Sequence, residues 1–390
     1  MTHYDRAAEF GISAPQAAGP QSIAPEQGPV ARAFADARAE APDPSAAPAT
    51  LTADPVAPWP RIAHPPEPER RPGAQGVETM PENLGTGTGQ RAASGGGILH
   101  DEGFVDVTGG RVWYERLGRP DAPPLLLLHG GPGGSSGYLQ PLMAQAADDF
   151  LVVRYDQLGS WNSDKPDDLS LWQVPRFVEE VEQVRQALGL GRVHLFGQSW
   201  GSFLALEYAL HHQQHLRSLT LASGAASTAE CVAGMNRWRG ELPEETQATL
   251  ARYEATRDYD HPDYVAAMDV LYRRHLCRVW PYPAALADDL TKMALPVYTT
   301  MWGPNEFTCT GTLLAWDRTN RLGEIDVPTL ITVGEFDEVA PSCAETMHRG
   351  IPGSRLERFP GASHTAHLEQ PEAYWAVLRS FLLKAEAGEG

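Results

Sequence analysis

Among 390 residues there are four cysteines, Cys231, Cys277, Cys309 and Cys343, and no Cys-x-x-Cys pair. Such spacing argues against a disulfide framework or a cysteine zinc site, and four reduced thiols in a cytoplasmic protein are expected. Basic residues are scarce as well: 31 Lys and Arg face 50 Asp and Glu, for a net charge of −19. A chain this acidic is a poor match for nucleic-acid phosphates or an anionic membrane surface. No apolar run approaches the roughly 18 residues that a bilayer requires. The opening MTHYDRAAEF lacks a basic segment followed by an apolar one. No secretory signal is therefore expected, and the expected location is the cytoplasm.

Apolar residues make up 42% of the chain, but they are unevenly spread. Residues 1–97 hold 15 of the 33 prolines, 21 alanines and almost no apolar run. Segments such as APDPSAAPAT cannot bury enough surface to offset chain entropy, so 1–97 reads as a disordered tail. A short Ala-rich helix fits around residues 30–40, and the tail reads either as a docking arm or as a dispensable extension. The 293 residues that follow suffice for one large α/β domain with an insertion.

After Ile98 the pattern changes. FVDVT (104–108), Gly109-Gly110 and RVWYERLG (111–118) predict a hairpin. PPLLLLHG (123–130) and FLVVRYDQ (150–157) are short apolar runs of the kind buried on both faces of a parallel sheet. A helix over 177–190, a strand over 192–199, a helix over 202–213 and a strand over 216–223 follow. The alternation resumes with a strand over 327–337, a helix near 343–350, a strand over 354–360 and a helix over 372–384. This rhythm predicts an α/β fold, a mostly parallel doubly wound sheet, with core segments 98–225 and 323–390. The Trp/Tyr/Arg-rich stretch 226–322 reads as an inserted helical cap.

The chemistry gathers in three loops. Gly197-Gln198-Ser199-Trp200-Gly201 lies between a strand and a helix, the context of a nucleophile elbow. A serine hydroxyl needs a base and a group to orient that base. In the chain order Ser, acid, His, the acid is Asp337 and the base His364, each in a loop after a strand. Glu335 and Glu338 are rival acids, and His367 is a rival base. His129-Gly130-Gly131-Pro132-Gly133-Gly134 ends an earlier strand and suits an oxyanion loop, with the amide of Trp200 paired to that of Gly131 or Gly130.

Together HGGPGG, YDQLGS, GQSWGS, GPNEF, GEFDEVAP and SHTAHLEQPE resemble the proline iminopeptidase family of α/β hydrolases over about residues 100–385. The broader-specificity branch, with tricorn-interacting aminopeptidase F1 and L-amino-acid amidases, is the most similar. The resemblance implies a metal-free, cofactor-free serine aminopeptidase or amidase acting on short peptides or amides, with Ser199, Asp337 and His364 as its triad. It also assigns Glu306 and Glu338 to the substrate's free α-amino group. That assignment has a physical basis, because an ammonium is the feature that marks a chain end, and two carboxylates pair it by charge-assisted hydrogen bonds. An esterase, a lactonase or an aminoacyl transferase on the same triad is the alternative. A binding scaffold on an inactive hydrolase fold is disfavoured by the intact triad residues. Serine at 199, rather than aspartate, argues against a dehalogenase or epoxide hydrolase.

One departure from the family pattern is Trp161, which stands where many such hydrolases carry a second glycine after D-Q-x-G. Its indole either walls the substrate pocket or packs under the cap. Trp302 either lines the same pocket or packs in the core. His211 and His215 sit four apart on a helix, but no metal is expected there, since neither a carboxylate nor a third histidine accompanies them in a recognised pattern. The acidic cluster Glu241-Glu244-Glu245 reads as the start of a cap helix.

Overall fold

A computed structural model describes residues 97–388. The expected tail and the helix near residues 30–40 therefore lie outside the described residues. Eight strands form one sheet: β1 (Leu99–Val107), β2 (Gly110–Gly118), β3 (Pro124–Leu128), β4 (Leu151–Tyr155), β5 (Val193–Gln198), β6 (Leu216–Ala222), β7 (Thr329–Gly334) and β8 (Arg355–Phe359). Their spatial order is β1-β2-β4-β3-β5-β6-β7-β8. The first two pairings, β1 with β2 and β2 with β4, are antiparallel, and every later one is parallel. Such an α/β sheet gathers its functional loops beyond the carboxyl ends of its parallel strands.

The apolar runs explain the centre of this sheet. Leu125 and Leu127 of β3 belong to one core with Val152 and Phe196, while Leu126 and Leu128 belong to the other with Val153 and Leu195. Alternate side chains thus enter opposite faces, and both faces are covered. Each fully buried leucine contributes about 1.5–3 kcal/mol of apolar transfer. The helices that cover the faces include α1 (Gln140–Ala146), α2 (Val174–Ala187) and α3 (Trp200–His212). Helix α1 was not predicted, and α2 starts and ends three residues before the predicted span.

Between β6 and β7 the chain runs through α4 (Thr228–Gly240), α5 (Glu244–Thr256), α6 (Pro262–Leu271), a π-helical turn at Tyr272–Leu276, α7 (Ala284–Leu290) and α8 (Leu295–Met301). Glu244 and Glu245 occupy the first turn of α5, where negative charge favours the helix dipole. Glu241 does not share that turn; it caps the end of α4. After β7 come α9 (Pro341–Gly350) and, beyond β8, α10 (Pro371–Glu386). Among the described residues no helix is long and apolar enough to cross a membrane.

Buried Asp289 on α7 ties this insertion to the loop after β3, accepting a hydrogen bond from the Ser135 hydroxyl. Burial pushes its carboxyl up to about 7. An unfolded aspartate titrates near ~3.9, so between about pH 4 and 7 the folded chain holds a proton that the unfolded chain has lost. Stability from this group therefore falls as pH rises through that window, by roughly 2–4 kcal/mol in all. Asp289→Asn removes the titration while keeping an acceptor for Ser135. Denaturation at pH 5 and pH 8 should show the variant gaining on the wild type by that amount, and parallel curves would refute the assignment.

Candidate active site

Ser199 sits between β5 and α3 at φ 58°, ψ −127°, a backbone conformation rare for a side-chain-bearing residue. Its neighbours permit the turn by lacking side chains. A Cβ on Gly197 would lie 2.0 Å from the Gly201 carbonyl oxygen, and one on Gly201 would lie 2.2 Å from that of Leu128. Trp200 opens the helix, so its amide has no partner within α3.

Two further loops meet this turn. Asp337 follows β7 and His364 follows β8, both buried. The His364 Nδ1–H donates to Asp337 Oδ1 at 2.7 Å, which fixes the tautomer and turns Nε2 toward other partners. The Val339 amide donates to the same carboxylate oxygen. The rivals are placed elsewhere. Exposed Glu335 accepts from the Gly361 amide. His367 packs between the rings of Tyr138 and Tyr374, and burial pushes its imidazole down to about 3.

Glu338 is buried, with Oε1 3.4 Å from His364 Nε2. Together with Ser199, Trp200, Gly131 and Glu306 it lines one cavity. Burial raises the carboxyls of Glu338 and Glu306 above their ordinary range. Burial works against a charge on His364, but Glu338, Asp337 and Glu306 outweigh it and hold the imidazolium up to about 9. Burial thus pushes the two carboxyls toward their neutral form, while their charged form and the His364 imidazolium support one another.

The glycine loop corrects one expectation. The Gly130 amide donates to Tyr138 Oη at 2.7 Å, so it is occupied and Gly131 is the remaining candidate partner for Trp200. Gly131 adopts φ +112°, where a Cβ would fall 2.5 Å from the Gly134 amide nitrogen. Sequence reasoning missed the side chains that brace this loop. Tyr138 donates onward to Gln198 Oε1 at 2.6 Å, and Gln198 Nε2 donates to the His364 carbonyl at 3.0 Å. Buried His129 accepts the Gln157 amide at Nε2, while Gln157 Oε1 accepts the Trp200 indole N–H. Gln157 and Gln198 both stood inside quoted motifs, which was the available signal.

A second bracing set comes from the insertion and left no trace in the sequence. The His275 carbonyl, in the π-helical turn, accepts the amides of both His364 at 3.0 Å and Glu338 at 3.2 Å. Its imidazole N–H donates to the Phe336 carbonyl, and Trp238 stacks on the ring at 4.5 Å while donating to the Asp337 carbonyl.

Trp302 is buried in the cavity wall and donates its indole N–H to the Glu306 carbonyl. Trp161 does not line the cavity. It is 46% exposed, turned outward with the Lys292 ammonium 5.1 Å from its ring. The next residue is pinned instead, since Asp156 accepts both the Asn162 amide and its side chain. The histidine pair also differs from expectation. His212 and His215, not His211, approach the carboxylate of Glu182, their ligand atoms within 4.8 Å of one another. Arg185 grips that carboxylate with two hydrogen bonds and Tyr208 adds a third, the pattern of a salt-bridge network.

A profile for the alpha/beta hydrolase fold matches residues 123–371. The proline iminopeptidase of Saccharolobus solfataricus is 38% identical over 285 residues, covering 72% of this chain and 92% of its own length. That of Heyndrickxia coagulans is 38% identical over 286 residues, covering 73% of this chain and 99% of its own. Among solved structures, the proline iminopeptidase of Mycobacterium smegmatis superposes with a TM-score of 0.70 at 37% identity, over 74% of this chain and 100% of that one. With the strand order and the serine elbow, these likenesses make the chain a serine hydrolase of the α/β-hydrolase fold that belongs to the proline iminopeptidase family.

Proposed function

We propose that this chain is an aminopeptidase that releases an N-terminal proline, or another small apolar residue, from short peptides and amides. The observation that carries this reading is the presence of Glu306 and Glu338 in one cavity with Ser199. Burial disfavours charge on both carboxyls, His364 is the cation beside them, and a substrate ammonium would supply a second one between them. The apolar wall of Phe203, Met235, Trp302 and Leu313 suits a pyrrolidine ring or a small aliphatic side chain. Stretch 226–322 acts as the cap that brings Glu306 over the nucleophile.

In this mechanism Ser199 Oγ attacks the carbonyl of the first residue as His364 Nε2 takes its proton, with Asp337 holding the imidazole. The amides of Trp200 and Gly131 receive the oxyanion. Collapse breaks the C–N bond, His364 gives its proton to the leaving amine, and an aminoacyl ester remains on Ser199. Water, deprotonated by His364, then cleaves the ester and restores the serine. No metal or cofactor enters these steps. Paired arylamides of proline and alanine, free or acetylated at nitrogen, test the reading. The free forms should be cleaved at least tenfold faster, and equal rates would refute recognition of the amine.

A further inference from the structure

The insertion reaches the two reactive loops through the carboxyl end of one helical run. Helix α6 passes directly into the π-helical turn, which the Cys277 amide closes on the Tyr272 carbonyl at 3.1 Å. The last carbonyls of a helix have no partner within it. Here the His275 carbonyl takes the amide of Glu338, on the loop after β7, and that of His364, on the loop after β8. The next carbonyl, that of Leu276, accepts the Thr365 hydroxyl at 3.1 Å. Glu369 adds a further tie, since its carboxylate accepts the Arg278 amide on one oxygen and the Ser363 amide on the other.

Side chains keep the His275 carbonyl in place. Buried His275 donates Nδ1–H to the Phe336 carbonyl at 2.8 Å, so one residue grips the acid loop on both sides of Asp337. Trp238 of α4 stacks on its ring and donates to the Asp337 carbonyl at 2.8 Å. Three consecutive residues, 336 to 338, are therefore hydrogen-bonded to the insertion, and the same carbonyl ties them to His364. Neither His275 nor Trp238 is among the residues lining the cavity around Ser199. Burial pushes the His275 imidazole below the ordinary histidine value; Arg274 and Arg278 add to this, while the Phe336 carbonyl and Glu241 oppose it. Above neutral pH the ring is therefore uncharged and carries one N–H.

We propose that His275 and Trp238 are positioning residues that clasp the acid loop to the base loop, and that this clasp sets how closely Glu338 and Asp337 approach the His364 imidazole. The proposal rests on the roles given above to Ser199, Asp337 and His364. A misplacement of about 1 Å at reacting groups can cost roughly 100-fold in rate. A looser clasp lets the two carboxylates recede, so the imidazolium loses their support and gives up its proton at lower pH. Glu306 supplies a smaller support from the insertion, and His367, on the base loop, stays uncharged.

His275→Leu withdraws the donor, whereas His275→Asn returns an N–H near the Nδ1 position. On a neutral ester the wild-type rate should rise as pH passes about 9. In His275→Leu that rise should come about half a pH unit or more earlier. Its kcat on a prolyl arylamide should fall about 10- to 100-fold. His275→Asn should restore the wild-type onset and bring kcat back to within about threefold. Lost stability alone does not move the onset, so one onset shared by all three proteins overturns the proposal whatever kcat does. A shift common to both variants also overturns it, because the N–H would then not be what holds the loops. Should His275→Leu fail to fold, Trp238→Phe decides, since it keeps a ring on His275 and removes the donor to Asp337. Its onset should also fall, and an unchanged onset overturns the proposal. Ester hydrolysis that survives Ser199→Ala refutes the triad roles themselves, and the proposal with them.

Discussion

Glutamine in place of Glu338 should slow cleavage of a prolyl arylamide and accelerate cleavage of a small neutral ester at the same pH. For the arylamide, kcat/KM should fall about 100- to 1,000-fold, the usual cost of removing one partner of a buried charge pair. The opposite sign for the ester follows from the base. In the free protein Glu338, Asp337 and Glu306 prevail over burial and keep the His364 imidazolium up to about 9. Below that pH Nε2 already carries a proton and cannot accept the one on Ser199. On the proposed mechanism an ammonium between Glu306 and Glu338 would remove the reason for that proton, so substrate binding should turn the imidazole into a base. A neutral ester brings no ammonium, and its hydrolysis should rise only as pH passes about 9. Without the charge at 338 the imidazolium loses its largest support, and the rise should move toward the ordinary histidine value near ~6.5. At pH 7 the variant should then hydrolyse the ester faster than the wild type. Superimposable ester profiles would show that Glu338 does not govern the base.

The same coupling offers a physical account of selectivity. On the proposed mechanism an N-blocked peptide should lose binding energy from the two carboxylates, and it should also meet an enzyme whose base is still protonated. Discrimination then appears in kcat as well as in KM, as expected when an interaction is felt more strongly in the transition state than in the ground state. The mutual positions of Glu306, Glu338 and His364 are what make this possible, although Glu306 comes from the insertion and the other two from loops after β7 and β8.

Much of this was legible in the sequence because it is encoded in contiguous stretches. All eight strands were predicted, since short β-branched or apolar runs bounded by glycine and proline have few alternatives in a doubly wound sheet. Helix α1 escaped because seven residues give only two turns of periodicity. Ser199, Asp337 and His364 stood out as residue types in loops at strand ends. The bracing by His275 did not, because a backbone carbonyl can be supplied by any residue and leaves no sequence pattern. Trp161 shows the converse limit. Its identity was plain, but its direction depends on Asp156 holding Asn162, which no local spacing reveals. The pairing of Glu182 with His212 and His215 is likewise long-range, joining α2 to the end of α3.

Alanine at Gly201 should abolish most activity, lowering kcat by about a thousandfold or more on amides and esters alike. The added Cβ would lie 2.2 Å from the Leu128 carbonyl oxygen and 2.8 Å from that of His129. Both obstacles are backbone, so no side-chain rotation relieves them, and about 1 Å of main-chain movement is needed to restore ordinary contact. That movement separates β3, with the glycine loop behind it, from the start of α3. The Gly131 amide leads from the first and the Trp200 amide from the second, so the two candidate oxyanion donors lose their common focus. Loss of one such donor costs about 2.7–4 kcal/mol, and displacement of the pair accounts for the thousandfold. Gly197→Ala should act in the same way, since its Cβ would lie 2.0 Å from the Gly201 oxygen. Gly240→Ala is the matched control, because nothing lies within 4 Å of its Cβ position at the end of α4. That substitution should leave kcat unchanged and raise stability by up to about 1 kcal/mol through helix propensity. A Gly201→Ala protein that melts near the wild type and retains kcat within tenfold would show that the elbow can shift without cost. The two glycines would then mark a turn and not the alignment of the oxyanion donors.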